Sequence, residues 1–167
     1  MAESNGTKAT VKDGLHRTAL KIGAIMTRHV VTVSMDDTLE RVQELFKSFK
    51  FHHLIVVEHR RVVGVVSDRD LLKSVSPFIG TITEQSRDRF TLHKRVHQVM
   101  TRRLVSVTPE TTLADASQLM LDGRVNCLPV LDAADECVGV VTMRDLLSWA
   151  LVECAGGPDA CTITRAA

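Results

Sequence analysis

The hydrophobic and polar positions of residues 30–72 predict five elements of secondary structure. Three short runs of β-branched and aliphatic residues have the length and composition of strands, at residues 30–33, 54–57 and 62–66. Between the first two runs, apolar residues recur every three or four positions, as on one face of a helix, at Leu39, Val42, Leu45, Phe46 and Phe49. Asp37 and Glu40 resemble a capping box at the start of this helix. The polar residues 58–61 predict a hairpin turn, and residues 67–70 begin a second helix.

The order strand, helix, strand, strand, helix occurs a second time further along the chain. Residues 25–33 match residues 99–107 at an offset of 74, and residues 63–72 match residues 138–147 at an offset of 75. One residue has therefore been inserted in the hairpin turn of a duplicated unit. Gly123 is predicted to end the first helix of the second copy. That copy has a helical stripe, two hairpin strands and a closing helix, at Leu113, Ala116, Leu119 and Met120, at residues 128–131 and 137–141, and at residues 143–152.

The duplication divides the 167 residues into five segments. The first repeat spans residues 20–76, the connection residues 77–95 and the second repeat residues 96–152. A unit of about fifty residues buries too little apolar surface to be stable alone, so the repeats are expected to pack on each other. The polar and patternless ends, residues 1–19 and 153–167, are expected to be mobile tails.

Charge and composition narrow the classes of function. The chain has 21 basic and 20 acidic residues, with five Phe, one Trp and no Tyr, so a nucleic-acid-coating protein is not indicated. It has no run of eighteen apolar residues, and its start lacks the basic-then-apolar order of a secretory signal, which predicts a cytoplasmic protein without a membrane span. The four cysteines lack zinc-site spacing and are expected to be structural thiols, at Cys127, Cys137, Cys154 and Cys161.

The connection between the repeats is long and basic. Residues 73–96 exceed the usual loop length, which predicts some helix or a functional excursion. Residues 87–103 contain six Lys or Arg and one acid, Asp88. This segment is interpreted either as a solvated linker surface or as a patch that faces phosphate or a partner.

Two repeated motifs have the residues of a ligand site. Ser67-x-x-Asp70 and Thr142-x-x-Asp145 each lie where an apolar strand turns directly into a helix, which directs backbone N–H groups and the positive end of the helix dipole at one spot. The hydroxyl can bond a phosphate oxygen, and the carboxylate can accept both hydroxyls of a ribose. A capping box has the same spacing and needs no ligand. The repetition, and the phosphate-binding capacity of Arg69 and Arg144 within the motifs, favour a ligand site.

The whole pattern closely resembles a tandem pair of cystathionine-β-synthase (CBS) domains, a Bateman module. Met26-Thr27 and Met100-Thr101 open the two copies, Gly-Val-Val-Ser/Thr-x-x-Asp closes each, and the resemblance covers roughly residues 20–151. It implies an α/β (α+β) fold with the repeats packed about a pseudo-twofold axis. Two clefts would bind adenosine-containing ligands such as AMP, ADP, ATP or S-adenosylmethionine. It further implies a homodimer, and the helical stripes offer apolar surface for such a contact.

The resemblance assigns roles by position. Asp70 and Asp145 would bind ribose, and Ser67 and Thr142 would contact phosphate. The adenine would be bordered by the first and second strands of each copy, at Thr32, Val33, His53, Leu54, Ile55, Val56, Ser106, Val107, Cys127, Leu128, Pro129 and Val130.

The second strand departs from the family pattern in one copy. The family commonly has Leu-Pro-Val here, which the second copy keeps at residues 128–130, whereas the first has Leu54-Ile55-Val56. Because proline lacks an N–H and fixes φ, the two adenine pockets are expected to be unequal, with the second one favoured.

A regulatory nucleotide-binding module that signals to an unknown partner protein is the leading hypothesis. The nucleotide would be a regulatory ligand, with no obligatory cofactor, and the chain has no nucleophile motif, HExxH or P-loop of an enzyme. A metal site is not expected, because the adjacent His52 and His53 would point to opposite faces of a strand. The alternatives are a dimerisation scaffold with empty clefts, in which the two motifs only cap helices, a metal-binding protein, or a nucleic-acid-associated regulator that uses residues 87–103.

Overall fold

The secondary structure follows the duplicated pattern. The computed structural model describes residues 20–155, so the predicted tails lie outside the described residues except for residues 153–155, which end the last helix. One 3₁₀ turn precedes β1, and two follow α3. The strands and helices in chain order are β1 (Thr32–Ser34), α1 (Leu39–Phe49), β2 (His53–Glu58), β3 (Arg61–Ser67), α2 (Asp68–Ser74), α3 (Ser86–Phe90), α4 (Leu113–Gly123), β4 (Cys127–Leu131), β5 (Cys137–Thr142) and α5 (Met143–Ala155).

The first repeat forms a three-stranded sheet in the order β1-β2-β3. β1 is parallel to β2, and β2 is antiparallel to β3. His59 and Arg60 form the two-residue hairpin turn with φ values of 47° and 71°, the left-handed conformations that match the twist of a tight hairpin. α1 packs its apolar face on this sheet, where Leu39, Val42 and Leu45 are buried. The predicted hairpin is therefore confirmed.

The ends of the helices differ from the prediction in two details. The predicted capping box at Asp37 is wrong, because Thr38 is the N-cap of α1 and its hydroxyl accepts the Arg41 N–H. The Asp37 carboxylate instead accepts the Ser34 N–H at 2.7 Å, which closes the turn before the helix. α4 ends at Gly123 as predicted, but the left-handed residue that follows it is Arg124, with φ of 51°.

The second repeat forms a two-stranded sheet of antiparallel β4 and β5. The strand predicted at its start is reduced to one parallel bridge between Val107 and Val130. The Val107 N–H donates to the Pro129 carbonyl at 3.0 Å, and the Leu131 N–H donates to the Val107 carbonyl at 2.8 Å. The next rung of a parallel ladder would need an N–H from residue 129 directed to the carbonyl of Val105. Pro129 has no N–H, so the ladder stops there.

The two repeats exchange their opening segments. Thr27 and Val140 donate to each other's carbonyls at 2.9 Å, and Val65 and Thr101 form the equivalent pair at 3.1 and 2.9 Å. Residues 20–27 therefore lie against the second repeat, and residues 94–101 lie against the first. Each opening segment also contributes to the hydrophobic core of the other repeat. Ile22 and Met26 are buried in the core of the second repeat, and Val96 and Met100 are buried in the core of the first.

The pairing of Arg61 with Glu136 indicates that a pseudo-twofold axis relates the two repeats. These residues are 75 positions apart, so they are equivalents, and they form an antiparallel bridge with each other. Arg60 adds an ion pair to Glu136 at 3.2 Å. A contact between equivalent residues, together with the reciprocal exchange of segments, is what a pseudo-twofold axis between the repeats requires.

Candidate functional site

A cavity of about 820 Å³ lies between the two repeats and is lined by both of them. Each repeat contributes its opening segment, the residue after its first helix, the start of its second strand and the corner between its third strand and last helix. This volume lies within the range of small-molecule sites. The duplicated motifs Ser67-x-x-Asp70 and Thr142-x-x-Asp145 both reach its wall.

The first motif is held by its own hydrogen bonds. β3 ends at Ser67, whose hydroxyl accepts the Asp70 N–H at 3.3 Å and caps α2. In return, Oδ2 of Asp70 accepts the Ser67 N–H at 2.9 Å and the Ser67 hydroxyl at 2.6 Å. The capping box is therefore formed, and it fixes the position of the carboxylate on the cavity wall.

The second motif repeats this geometry at the start of α5. Oδ2 of Asp145 accepts the Thr142 N–H at 2.8 Å and the Thr142 hydroxyl at 2.7 Å, and the Asp145 N–H donates to that hydroxyl oxygen at 3.4 Å. In both motifs Oδ2 makes every hydrogen bond of the carboxylate within residues 20–152, and Oδ1 makes none. Each carboxylate thus caps a helix with one oxygen and keeps the other available to a ligand.

The structure brings ten of the predicted ligand-binding residues to this cavity. They are His53, Ile55, Ser67, Arg69, Asp70, Cys127, Pro129, Thr142, Arg144 and Asp145. The other eight do not line it, namely Thr32, Val33, Leu54, Val56, Ser106, Val107, Leu128 and Val130. Side chains alternate between the faces of a strand, so residues next to His53 and Ile55 point into the hydrophobic core, where Leu54 and Val56 are at most 1% exposed.

Three cations at the cavity, Lys50, Arg103 and Arg124, are not among the predicted site residues. Lys50 and Arg124 follow α1 and α4 in the left-handed conformation, with φ of 54° and 51°, and both line the cavity. Lys50 and Arg124 are 74 positions apart, so the repeat offset is the signal that could have identified these two. The wall contains five Lys or Arg and three carboxylates, at Lys50, Arg69, Arg103, Arg124 and Arg144 and at Asp68, Asp70 and Asp145. The lining is therefore net positive, as an anionic ligand requires.

The first half of the cavity contains histidines. His52 Nδ1 lies 2.8 Å from Oδ2 of Asp68 on the exposed rim. Burial lowers the pKa of the neighbouring His53 below its ordinary value, and Asp68 partly opposes this effect. Within the described residues, no group of three potential ligands that could hold a metal ion occurs.

The second half has different side chains at the equivalent positions. Asn126 and Cys127 occupy the places of His52 and His53, and Met143 that of Asp68. Burial, followed by the charge of Asp145, raises the pKa of the Cys127 thiol to about 12. Together with the Ile55/Pro129 difference, these substitutions make the two halves chemically unequal.

No helix among residues 20–155 is long and apolar enough to span a bilayer.

Comparisons with known proteins identify the family. The family model of the CBS domain matches residues 22–77 and again residues 96–152. The CBS domain-containing protein YhcV of Bacillus subtilis is 36% identical over 121 residues, which cover 72% of this chain and 79% of YhcV. The AcuB protein of Vibrio cholerae has a TM-score of 0.67 and 26% identity, with 81% of this chain and 93% of AcuB covered. The structure of CBSX2 in complex with AMP has a TM-score of 0.66 and 30% identity, with 80% and 97% covered. The chain belongs to the CBS domain family, and its two repeats form a CBS pair.

Proposed function

We propose that this protein is a regulatory module that binds an adenosine-containing nucleotide in the cavity between its CBS repeats and passes the signal to a partner protein. One observation carries the proposal: two equivalent carboxylates, Asp70 and Asp145, face one cavity, and each has an oxygen left over from helix capping. Two adjacent hydroxyls of a ribose can share such a carboxylate. The crystal structure of the related CBSX2 in complex with AMP supports the same class of ligand for this protein.

The cavity residues suggest which part of the nucleotide each would contact. Ser67 and Thr142 lie at helix starts beside Arg69 and Arg144, where a phosphate would meet hydroxyl, N–H and guanidinium donors. The adenine would be flanked by the remaining predicted lining residues. These are His53 and Ile55 in the first half of the cavity, and Cys127 and Pro129 in the second. The same contacts fit AMP, ADP, ATP or a ligand similar to S-adenosylmethionine, which differ beyond the ribose.

The exchanged segments provide a route for the signal. Thr27 and Thr101 line the cavity, and each is bonded to the repeat opposite its own. A ligand held between the repeats would therefore favour one relative orientation over others, which a partner protein could distinguish. The cavity in this proposal is a binding site without a catalytic nucleophile. We further propose a cytoplasmic homodimer, with repeats at residues 20–76 and 96–152 and a connection at residues 77–95.

The matched test compares two types of Asp→Ala variant that remove the same kind of helix cap. Asp70→Ala and Asp145→Ala remove cavity carboxylates. Asp115→Ala removes a carboxylate that bonds Thr112 in the same Thr-x-x-Asp geometry at the start of α4, with a 2.7 Å hydroxyl–carboxylate contact, but away from the cavity lining. All three variants should lose about 0.5–2 kcal/mol of unfolding free energy.

Only the cavity variants should lose ligand affinity. Calorimetry with AMP, ADP, ATP and S-adenosylmethionine should show about tenfold or greater weakening for each cavity variant and no measurable binding for the double variant. The wild type at a hundredfold excess over Kd should gain about 2.7 kcal/mol of stability. Wild-type affinity in the Asp70→Ala/Asp145→Ala protein, or no binding of any of these compounds by the wild type, would refute the proposal in favour of a dimerisation scaffold with empty clefts.

A further inference from the structure

The connection between the repeats is an ordered structure built around one buried carboxylate. Asp88 is 8% exposed and accepts the Ser76 hydroxyl at 2.7 Å and the Gln85 N–H at 2.8 Å. Thr91 completes the closure, since its hydroxyl donates to the Asp88 carbonyl at 2.6 Å and accepts the Ser76 N–H at 3.0 Å. These bonds join the two ends of the loop.

This loop turns three large apolar side chains towards solvent. Phe78 is 53% exposed, Ile82 107% and Phe90 70%. Phe78 lies two residues after Ser76 and Phe90 two residues after Asp88, so the Ser76–Asp88 hydrogen bond brings their segments together. Polar groups thus hold the loop together from within, and its apolar groups face outward. Burial within the chain does not account for this arrangement, which is typical of an interaction surface.

The same loop has an excess of positive charge. Residues 73–95 contain five Lys or Arg and two acids. Both acids are engaged inside the loop: Asp88 by the bonds above, and Glu84 by the Gly80 N–H at 2.7 Å and the Arg89 guanidinium at 3.2 Å. Lys73 and Arg87 are exposed and form no ion pair within residues 20–152.

We propose that the surface formed by Phe78, Ile82 and Phe90 with the surrounding Lys73, Arg87 and Arg89, here called the connection surface, binds an acidic segment of a partner protein that bears large apolar side chains. None of its apolar residues lines the nucleotide cavity. The proposal rests on the regulatory function only in that such a module needs a surface for its partner.

The residues of the connection surface favour an acidic protein segment over a lipid bilayer or a second copy of the chain. Arginine binds carboxylates as a two-pronged donor, and Phe and Arg are enriched at the centres of protein interfaces. A bilayer is disfavoured because exposed polar residues at 81, 83, 85 and 86 separate the three apolar side chains and would lose their water on insertion. A second copy is disfavoured because a twofold contact would bring the same positive charge to both sides.

The test uses the full chain and two labelled synthetic helical peptides. Both have Leu and Phe on one face, and the other face has Glu in one peptide and Lys in the other. Fluorescence anisotropy should show binding of the Glu peptide that weakens as salt is added, and at least about tenfold weaker binding of the Lys peptide.

Variants locate the binding on the connection surface. Phe78→Ser/Ile82→Ser/Phe90→Ser, and separately Arg87→Glu/Arg89→Glu, should each weaken binding of the Glu peptide at least about tenfold. The matched controls are Leu121→Ser, at a side chain 64% exposed on α4, and Arg41→Glu, on the exposed face of α1. Both should bind as the wild type does. If the triple serine variant fails to fold, Arg87→Glu/Arg89→Glu still tests whether the Glu peptide binds the connection surface.

Several results would overturn the proposal. These are no binding of the Glu peptide, equal binding of both peptides, or unchanged binding by both connection-surface variants. Preferential binding of phosphatidylserine vesicles that the variants abolish would assign the surface to a membrane, and loss of a dimer in the triple variant by light scattering would assign it to a second copy. AMP affinity is measured for the same proteins. Unchanged AMP affinity with lost peptide binding separates this surface from the nucleotide site.

Discussion

Met26 and Gly139 meet across the two repeats so closely that a side chain at position 139 would force Met26 to move. A Cβ atom on Gly139 would lie 2.6 Å from the Met26 sulfur and 3.2 Å from the Thr27 carbonyl oxygen. Gly64 stands in the same relation to Met100, with 2.7 Å to its sulfur. The glycine of each Gly-Val-Val strand therefore makes room for the opening segment of the other repeat.

Gly139→Ala and Gly64→Ala should each lower the unfolding free energy by about 1–3 kcal/mol, because the added methyl group overpacks a contact that includes backbone. Urea unfolding measures the loss. Gly123→Ala is the matched control, since its nearest neighbour would be a Val125 methyl at 3.5 Å and alanine favours the helix. If Gly139→Ala were as stable as Gly123→Ala, the packing argument would be wrong.

We expect a homodimer contact on α2 and α5 rather than on the stripes of α1 and α4. Most stripe residues on α1 and α4 are buried or half-buried within the chain, and Phe49 and Leu119 are the exposed ones. The equivalents Leu72 and Leu147, on α2 and α5, are 72% and 59% exposed. Exposed leucines at equivalent positions of the two repeats favour a twofold contact.

Light scattering at tens of micromolar should therefore give twice the chain mass of 18.4 kDa. Leu72→Glu/Leu147→Glu should give the single-chain mass, because four carboxylates would be buried in the contact. Leu121→Glu, on α4, should leave the mass doubled. A wild-type protein that is already monomeric would contradict the homodimer.

Cys127 should be nearly inert in the folded protein. Its pKa of about 12, against an ordinary value of 9.0, lowers the thiolate fraction near neutral pH by about a thousandfold. Iodoacetamide labelling followed by mass spectrometry should modify the half-buried Cys137 before Cys127, which should react only after urea is added. Labelling of Cys127 at the same rate with and without urea would show that burial does not protect it.

His53 should make stability depend on mild acidification. Because burial lowers its pKa in the fold, the unfolded chain binds the proton more readily as pH falls below 6.5, and stability is lost towards the lower folded-state pKa. His53→Gln should flatten the urea-unfolding free energy between about pH 5 and pH 7. His59→Asn, at the exposed hairpin turn, is the control that should keep the slope. A wild-type slope in His53→Gln would exclude this histidine as its source.

Local patterns identify the motifs but not all of their surroundings. Ser67-x-x-Asp70 and Thr142-x-x-Asp145 could be found because a strand turning into a helix is encoded within a few residues and occurs twice. Strand alternation, applied at His53 and Ile55, would also have removed Leu54 and Val56 from the candidate site. The shortened strand at Val107 follows from the missing N–H of Pro129, whereas the sequence pattern relates this proline only to the lining of the adenine pocket.

Long-range packing explains most of what could not be predicted. The sequence marks Met26 and Met100 as apolar, but nothing near them in the chain indicates that each is buried in the core of the opposite repeat. The same holds for Phe78, Ile82 and Phe90, whose hydrophobicity alone does not predict exposure. Their orientation follows from the hydrogen bonds of Asp88, which join residues twelve positions apart.

The exchange of opening segments imposes an order on biosynthesis. Residues 20–27 are made before the whole of the second repeat, to which their partner Val140 belongs. The first repeat likewise waits for residues 94–101 before its core can close. Because the second core is built later in the chain, the nascent chain displays Ile22 and Met26 until the second repeat has been made. A premature stop after the first repeat would leave these side chains permanently without a core, and the truncated product would be a substrate for chaperones and proteases.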